Sequence, residues 1–280
     1  MLRLTLITAL ALVAFASNSV LCRLALKGEL IDAGMFTTTR LLTGALALIG
    51  FVLLRGQSRK VWQGGSWWGA GFLATYMVGF SWAYLGLEAG AGALILFGAV
   101  QVTMVGFAIA KGEYPSAIQI LGLVLALGGL AWLLAPGVQA PPFGAGMLMT
   151  LAGIAWGCYT LRGKGALDPL RETAGNFVRA SPVALIVFTL SWGSLTWSYQ
   201  GLLFATISGV VTSAAGYAIW YEALRNLSAT RAAVLQLLVP VLASLGGLIF
   251  GAEDITTRFV LSSILVLGGI IFAIRGKAQN

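Results

Sequence analysis

Apolar runs of about twenty residues, separated by short polar or glycine-rich breaks, fill the sequence from end to end. A helix rises 1.5 Å per residue, so a run of that length matches the roughly 30 Å hydrocarbon core of a bilayer. With the polar and glycine-rich breaks as boundaries, the pattern predicts ten spans, at about 4–22, 34–54, 67–87, 92–110, 117–135, 144–161, 173–192, 201–221, 231–250 and 258–275. The connections are short and leave no room for a soluble domain. The first twenty residues also have the outline of a signal peptide, with Arg3, an apolar stretch and Ala14-Phe15-Ala16 as a small-x-small site. The repeat described next favours an uncleaved first span, because losing it would leave one half incomplete.

Two apolar runs end alike. GFAIAKGE (106–113) and GGLIFGAE (246–253) lie 140 positions apart, half the 280-residue chain. Sliding the chain by 140 aligns 87–129 with 227–269 without a gap, and 11 of the 43 positions are identical, Gly106/Gly246, Glu113/Glu253 and Gly128-Gly129/Gly268-Gly269 among them. This predicts two domains of five spans each, 1–136 and 144–280, joined by a linker at 137–143. An odd number of spans per half makes the second half enter the membrane inverted, the design of many secondary transporters.

Composition agrees. The chain is 59% hydrophobic and 9% charged, with a mean hydropathy of +0.92, where a soluble domain carries about a quarter charged residues. The net charge of +8 is spread singly through loops rather than gathered into the footprint that nucleic acid requires. Its use is topological. With a cytoplasmic N-terminus, the inside segments hold twelve Lys and Arg, including Arg3, Arg55, Arg162 and Arg225, against Arg23, Lys27 and Arg258 outside, so the positive-inside rule places both termini in the cytoplasm. Cys22 and Cys158 lack metal spacing and there is no histidine; no metal or cofactor is expected. No Walker loop, HExxH or GxSxG occurs, which argues against ATP use and against a hydrolase.

The stretch LVPVLASLGGLIFGAEDITTRFVLSSILVLGGIIFAI (238–274), preceded by NLSATRAAVLQLLVPV (226–241), resembles the end of an EamA domain of the drug/metabolite transporter superfamily. It has the same proline-containing helix, Gly-Glu-like turn and helix with a late Gly-Gly. The first half carries the pattern more weakly, with Lys111-Gly112-Glu113 and Gly128-Gly129 but Val100 in place of Pro240. Within the superfamily the chain is most similar to YddG-type exporters of aromatic and other amino acids. The resemblance implies an all-α fold of ten transmembrane helices, a cavity between the two halves, alternating access, and outward transport from the cytoplasm across the inner membrane. A monomer is expected, with the lipid bilayer and an amino-acid substrate as its partners. Export of other metabolites or drugs is the alternative, ahead of a channel or a membrane enzyme.

Polar and aromatic groups deep in a span are the candidate site residues, since an unpaired polar group in hydrocarbon is costly. Asn18, Gln101 and Gln236 offer amides. Tyr76, Phe80 and Tyr84 form a stripe on span 3, Trp156 and Tyr159 share a face of span 6, and Ser213, Tyr217 and Trp220 share one of span 8. Flat apolar walls with a few amides suit zwitterions bearing bulky apolar groups. Arg40, about six residues inside the outer end of span 2, is either a carboxylate clamp or a snorkelling cation; Arg179 at matching depth in span 7 favours snorkelling. Pro182 and Pro240 are expected to kink their helices, and Glu113 and Glu253 to cap the following helix or fix the turn. No carboxylate falls near a midplane, which predicts facilitated, gradient-driven efflux rather than proton coupling.

Overall fold

The structure, a computed structural model, describes residues 2–56, 64–110, 116–135, 140–163, 165–227, 235–236 and 238–275. The described elements are helical, apart from one isolated bridge between Ile31 and Trp197. In chain order they are α1 (Leu2–Lys27), α2 (Ala33–Leu54), α3 (Trp67–Ala83), α4 (Ala89–Ala110), α5 (Ala117–Leu134), α6 (Phe143–Gly163), α7 (Pro169–Leu190), α8 (Tyr199–Leu224), α9 (Leu238–Phe250) and α10 (Thr257–Arg275). Among the described residues, seven of them, α1, α2 and α4–α8, contain stretches long and apolar enough to cross a membrane; α9 and the stretch Thr257–Phe272 of α10 are apolar but shorter, and α3 has 17 residues.

Local chemistry sets the ends. Asp32, Ser66, Ser116, Asp168 and Ser198 each accept a hydrogen bond from the backbone N–H three residues on, satisfying a donor that the first helical turn leaves open. Ser116 and Gln119 complete a reciprocal capping box. Asp168 followed by Pro169 starts α7 four residues before the predicted boundary. Helix α1 likewise runs on through Arg23 to Lys27, so those two cations belong to its last turns and not to a loop.

The burial pattern is inside out. On α1, Leu6, Leu10 and Val13 are more than half exposed, while Phe15, Asn18, Ser19 and Cys22 are buried. An apolar stripe facing outward and a polar one facing inward fit a lipid solvent. Helices then pack by close approach. The Gly-Gly pairs of α5 and α10 show how: a Cβ on Gly269 would lie 2.5 Å from the Ala126 nitrogen and the Gly122 carbonyl, and one on Gly129 2.8 Å from Leu265 Cβ, whereas Gly128 and Gly268 face open space.

The larger helix pairings have a regularity of their own. Helices α2 and α7, α4 and α9, and α5 and α10 pack on each other. Helix α6 packs on α3 and α4 as α1 packs on α8 and α9, and α3 meets α7 as α8 meets α2. The set maps onto itself when each helix is exchanged for the one five places along the chain.

Candidate functional site

Helix α8 is not a uniform α-helix. Residues Ser208–Ala215 wind as a π-helix between α-helical segments Tyr199–Ile207 and Gly216–Leu224, a distortion that recurs at functional sites. Gly209 sits where this segment crosses α2, and any Cβ there would collide with the Arg40 carbonyl and the Thr43 hydroxyl. The close crossing brings the hydroxyls of α8 against α1 and α2.

Arg40 lies at that crossing, fully buried. Its Nε donates to Ser213 Oγ at 3.0 Å, and its Nη2 donates to the hydroxyls of Tyr76 and Tyr217 at 3.0 Å each. Its Nη1 is buried with no acceptor among the described residues. The guanidinium carbon stands 4.9 Å from the Phe80 ring centre and 5.3 Å from that of Tyr76, within cation–π range. No ion pair among the described residues involves Arg40.

Hydrogen-bond donors crowd this centre. Asn18 Nδ2 (3.3 Å), Arg40 Nη2 (3.0 Å) and the Tyr217 hydroxyl (3.3 Å) all converge on the Tyr76 oxygen. Asn18 Oδ1 is taken up by Ser208 at 2.5 Å and Thr212 at 3.2 Å. Beside them Trp156 packs against Tyr76, Tyr217, Tyr159 and Phe15, with ring centres 4.7–5.9 Å apart. Phe15, Asn18, Ser19, Tyr76, Phe80, Leu96, Phe97, Trp156 and Tyr217 enclose a cavity of about 10 Å³, room for a single water.

The two ends of the bundle differ. At the end reached by the C-terminus of α1, Arg23 donates to Glu253 (Nε–Oε1 3.2 Å), to Glu88 (Nη2–Oε1 3.4 Å) and to the Tyr84 carbonyl (3.1 Å). Lys27 donates to the Gly251 carbonyl at 3.1 Å. These contacts clasp α1 to the start of α4 and the α9–α10 loop. Burial, reinforced by the facing Glu88, pushes the Glu253 carboxyl up to about 7. At the opposite end a crevice of about 470 Å³ lies between α1, α2, α7 and α8, lined in part by Arg3, Arg55 and Arg225 with Asp168 and Glu222.

The model of the EamA-like transporter family matches residues 144–275. An uncharacterised protein of Pseudomonas aeruginosa is 48% identical over 268 residues, 96% of this chain and 93% of that one. Uncharacterised transporters match more distantly: YoaV of Bacillus subtilis at 25% over 168 residues (56% of this chain, 57% of that one), and one of Archaeoglobus fulgidus at 27% over 194 residues (68% and 70%). The chain belongs to the EamA-like transporter family. It is thus a multi-pass membrane protein of a transporter family. A crystal structure that superposes with a TM-score of 0.67 over 95% of both chains, at 18% identity, shares the fold.

In this EamA-like transporter the candidate residues fall into groups. Asn18, Arg40, Tyr76, Phe80, Trp156, Ser213 and Tyr217 come together in the central cluster. Tyr159 and Trp220 are buried at its margin, against Trp156 and Phe15 respectively. Tyr84 belongs instead to the clasped end, its hydroxyl donating to the Ala89 carbonyl at 3.2 Å. Gln101 and Gln236 are buried but are not among the cavity walls. The snorkelling expected of Arg40 does not occur, because its side chain turns into the bundle; Arg179 is the one that anchors locally, donating to the Gly64 and Gly175 carbonyls. Glu253 caps a helix other than the one that follows it: Oε2 accepts from the Ala89 N–H at the start of α4 (2.9 Å), and Thr256 caps α10. Glu113 lies outside the described residues. Pro182 is inside α7, and Pro240 lies in α9. Phe15, Ser208 and Thr212 were not foreseen. Phe15 reads as one more apolar residue, and the π-turn that aims the two hydroxyls leaves no mark in a hydropathy pattern.

Proposed function

We propose that the chain is a secondary transporter that exports amino acids, aromatic ones included, from the cytoplasm by alternating access. The observation that carries this reading is the central cluster. Groups from α1, α3, α4, α6 and α8 wall a closed aromatic cavity, with Arg40 of α2 bonded to the wall hydroxyls of Tyr76 and Tyr217, lying between a clasped end and an end with a large crevice. A cavity that holds one water must widen to pass a solute, and a clasp of side chains is suited to opening and reclosing. Ten spans in two inverted halves, 1–136 and 144–280 with 137–143 between them, are supported by the 140-residue repeat and by helix pairings that survive a shift of five. The loop charges support a cytoplasmic location for both termini. The protein then acts as a monomer in the inner membrane, with flux driven by the substrate gradient.

The test is counterflow in proteoliposomes with labelled amino acids, sugars and cationic drugs. Saturable amino-acid flux, competed by unlabelled substrate, is expected. Flux confined to sugars or drugs would replace the substrate class, non-saturable flux would indicate a pore, and dependence on a pH gradient with substrate gradients equalised would overturn facilitated export.

A further inference from the structure

The central cluster is unbalanced in charge and in hydrogen bonding. Arg40 is a fully buried cation among hydroxyls and rings, and a charge taken out of water without a counter-ion is strongly disfavoured. The described Asp and Glu residues all lie in loops or at helix ends: Glu29 and Asp32 between α1 and α2, Glu88 before α4, Asp168 and Glu172 at the start of α7, Glu222 at the end of α8, and Glu253 and Asp254 before α10. A guanidinium has five N–H donors; three are used here, and both on Nη1 lack an acceptor among the described residues. Trp220 Nε1, buried at the cluster's margin where the ring packs on Phe15, lacks one too among the described residues. The cluster therefore has donors and positive charge to spare, and acceptors and negative charge are what it needs.

We infer that the ligand of this chamber is recognised through a carboxylate that docks on Arg40 in place of the Tyr76 and Tyr217 hydroxyls, with its flat apolar body among the rings and with no requirement for an α-amino group. The planar guanidinium fork matches a carboxylate in a way a hydroxyl cannot, and the pair closes the charge deficit. Phe15, Phe80, Phe97 and Trp156 provide flat apolar faces for the body of the ligand. An ammonium group finds no such welcome. Asn18 Oδ1 is already occupied by Ser208 and Thr212, and a second cation beside Arg40 is repelled. Arylalkyl monocarboxylates are thus ligands at least as good as the corresponding amino acids, and arylalkyl amines are excluded. Three arginines against two carboxylates at the open crevice also favour entry of an anion.

The inference rests on the carrier reading only in placing the ligand on a transport path, since binding is measurable without flux. Full-length protein in nanodiscs is titrated with 3-phenylpropanoate, L-phenylalanine and 2-phenylethylamine, following tryptophan fluorescence and thermal shift. Phenylpropanoate is expected to bind saturably and no more weakly than phenylalanine, and phenylethylamine not at all. Arg40→Lys, which keeps the charge and loses the fork, should weaken phenylpropanoate at least about tenfold, and Arg40→Met should abolish its binding. Because the ligand series is run on the unaltered chain, a variant that fails to fold leaves the central comparison standing. Equal binding of the amine, binding of phenylalanine without phenylpropanoate, or no binding by any of the three would overturn the inference. Carboxylate-selective binding without vesicle flux would remove the carrier reading alone, while flux of uncharged solutes indifferent to Arg40→Lys would remove this inference and keep the carrier.

Discussion

Arg40 and Tyr76 hold the chemistry of the centre between them, and they should respond oppositely to mutation. Tyr76 supplies the oxygen on which Asn18, Arg40 and Tyr217 converge. Tyr76→Phe leaves those buried donors short of an acceptor, which costs about 1–3 kcal/mol; a lowered melting temperature in detergent, with helix content intact, is the expected reading. Arg40→Met removes a charge with no counter-ion among the described residues and fills part of its volume with apolar atoms, which spares the desolvation of a buried ion. Its melting temperature should equal or exceed that of the unaltered chain even as carboxylate binding disappears. A fall comparable to that of Tyr76→Phe would show that Arg40 is a structural keystone and not a ligand site. The sequence marked both residues as polar or amphipathic groups inside apolar runs. It misjudged Arg40 because depth along a span says how far a side chain is from the end, and not which side of the helix it leaves from.

Elements contribute through close approach and through their ends. Gly269 packs its bare Cα against the α5 backbone, so Gly269→Val should force α5 and α10 apart and cost about 1–3 kcal/mol. Gly268→Val, facing open space, should cost little, and comparing the two melting temperatures checks the assignment. The clasp adds a dependence on pH. Glu253 faces Arg23 and Glu88, and its carboxyl is raised from the ordinary 4.5 to about 7 by burial and by Glu88. A carboxyl that holds its proton more tightly when folded contributes stability below pH 4.5 and loses that contribution as pH rises to about 7. Glu88, which shares the site, is shifted the opposite way, so the test is the difference between two chains: the melting temperature of the unaltered chain should fall relative to that of Glu253→Gln across that window. The Gly-Gly pairs and the acidic turn were legible because they recur at a spacing of 140 residues. Their partners were not: which glycine of each pair touches, and that Glu253 caps α4 rather than α10, depend on helices far apart in sequence.

At the scale of the whole molecule, alternating access requires the clasped end to open once per cycle. Lys27 reaches the Gly251 carbonyl across that end. Cysteines at positions 27 and 251, in a Cys158→Ser background and joined by a short cleavable thiol cross-linker, should stop flux in proteoliposomes, and cleaving the linker should restore it. Undiminished flux through the linked protein would mean that solute does not leave by this end. The sequence by itself determined the solvent, the helical class, most span positions and the internal repeat, because each follows from hydropathy and periodicity along one dimension. Only the tertiary structure decided that Asn18, Arg40, Tyr76, Trp156 and Tyr217 share one cluster, that the cluster holds a cation with no counter-ion among the described residues, and that one end is clasped. Those facts depend on rotation about helix axes and on a π-turn in α8. Both are set by contacts between distant segments, where a single residue of helical phase, about 100°, turns a lipid-facing side chain into a wall of the site.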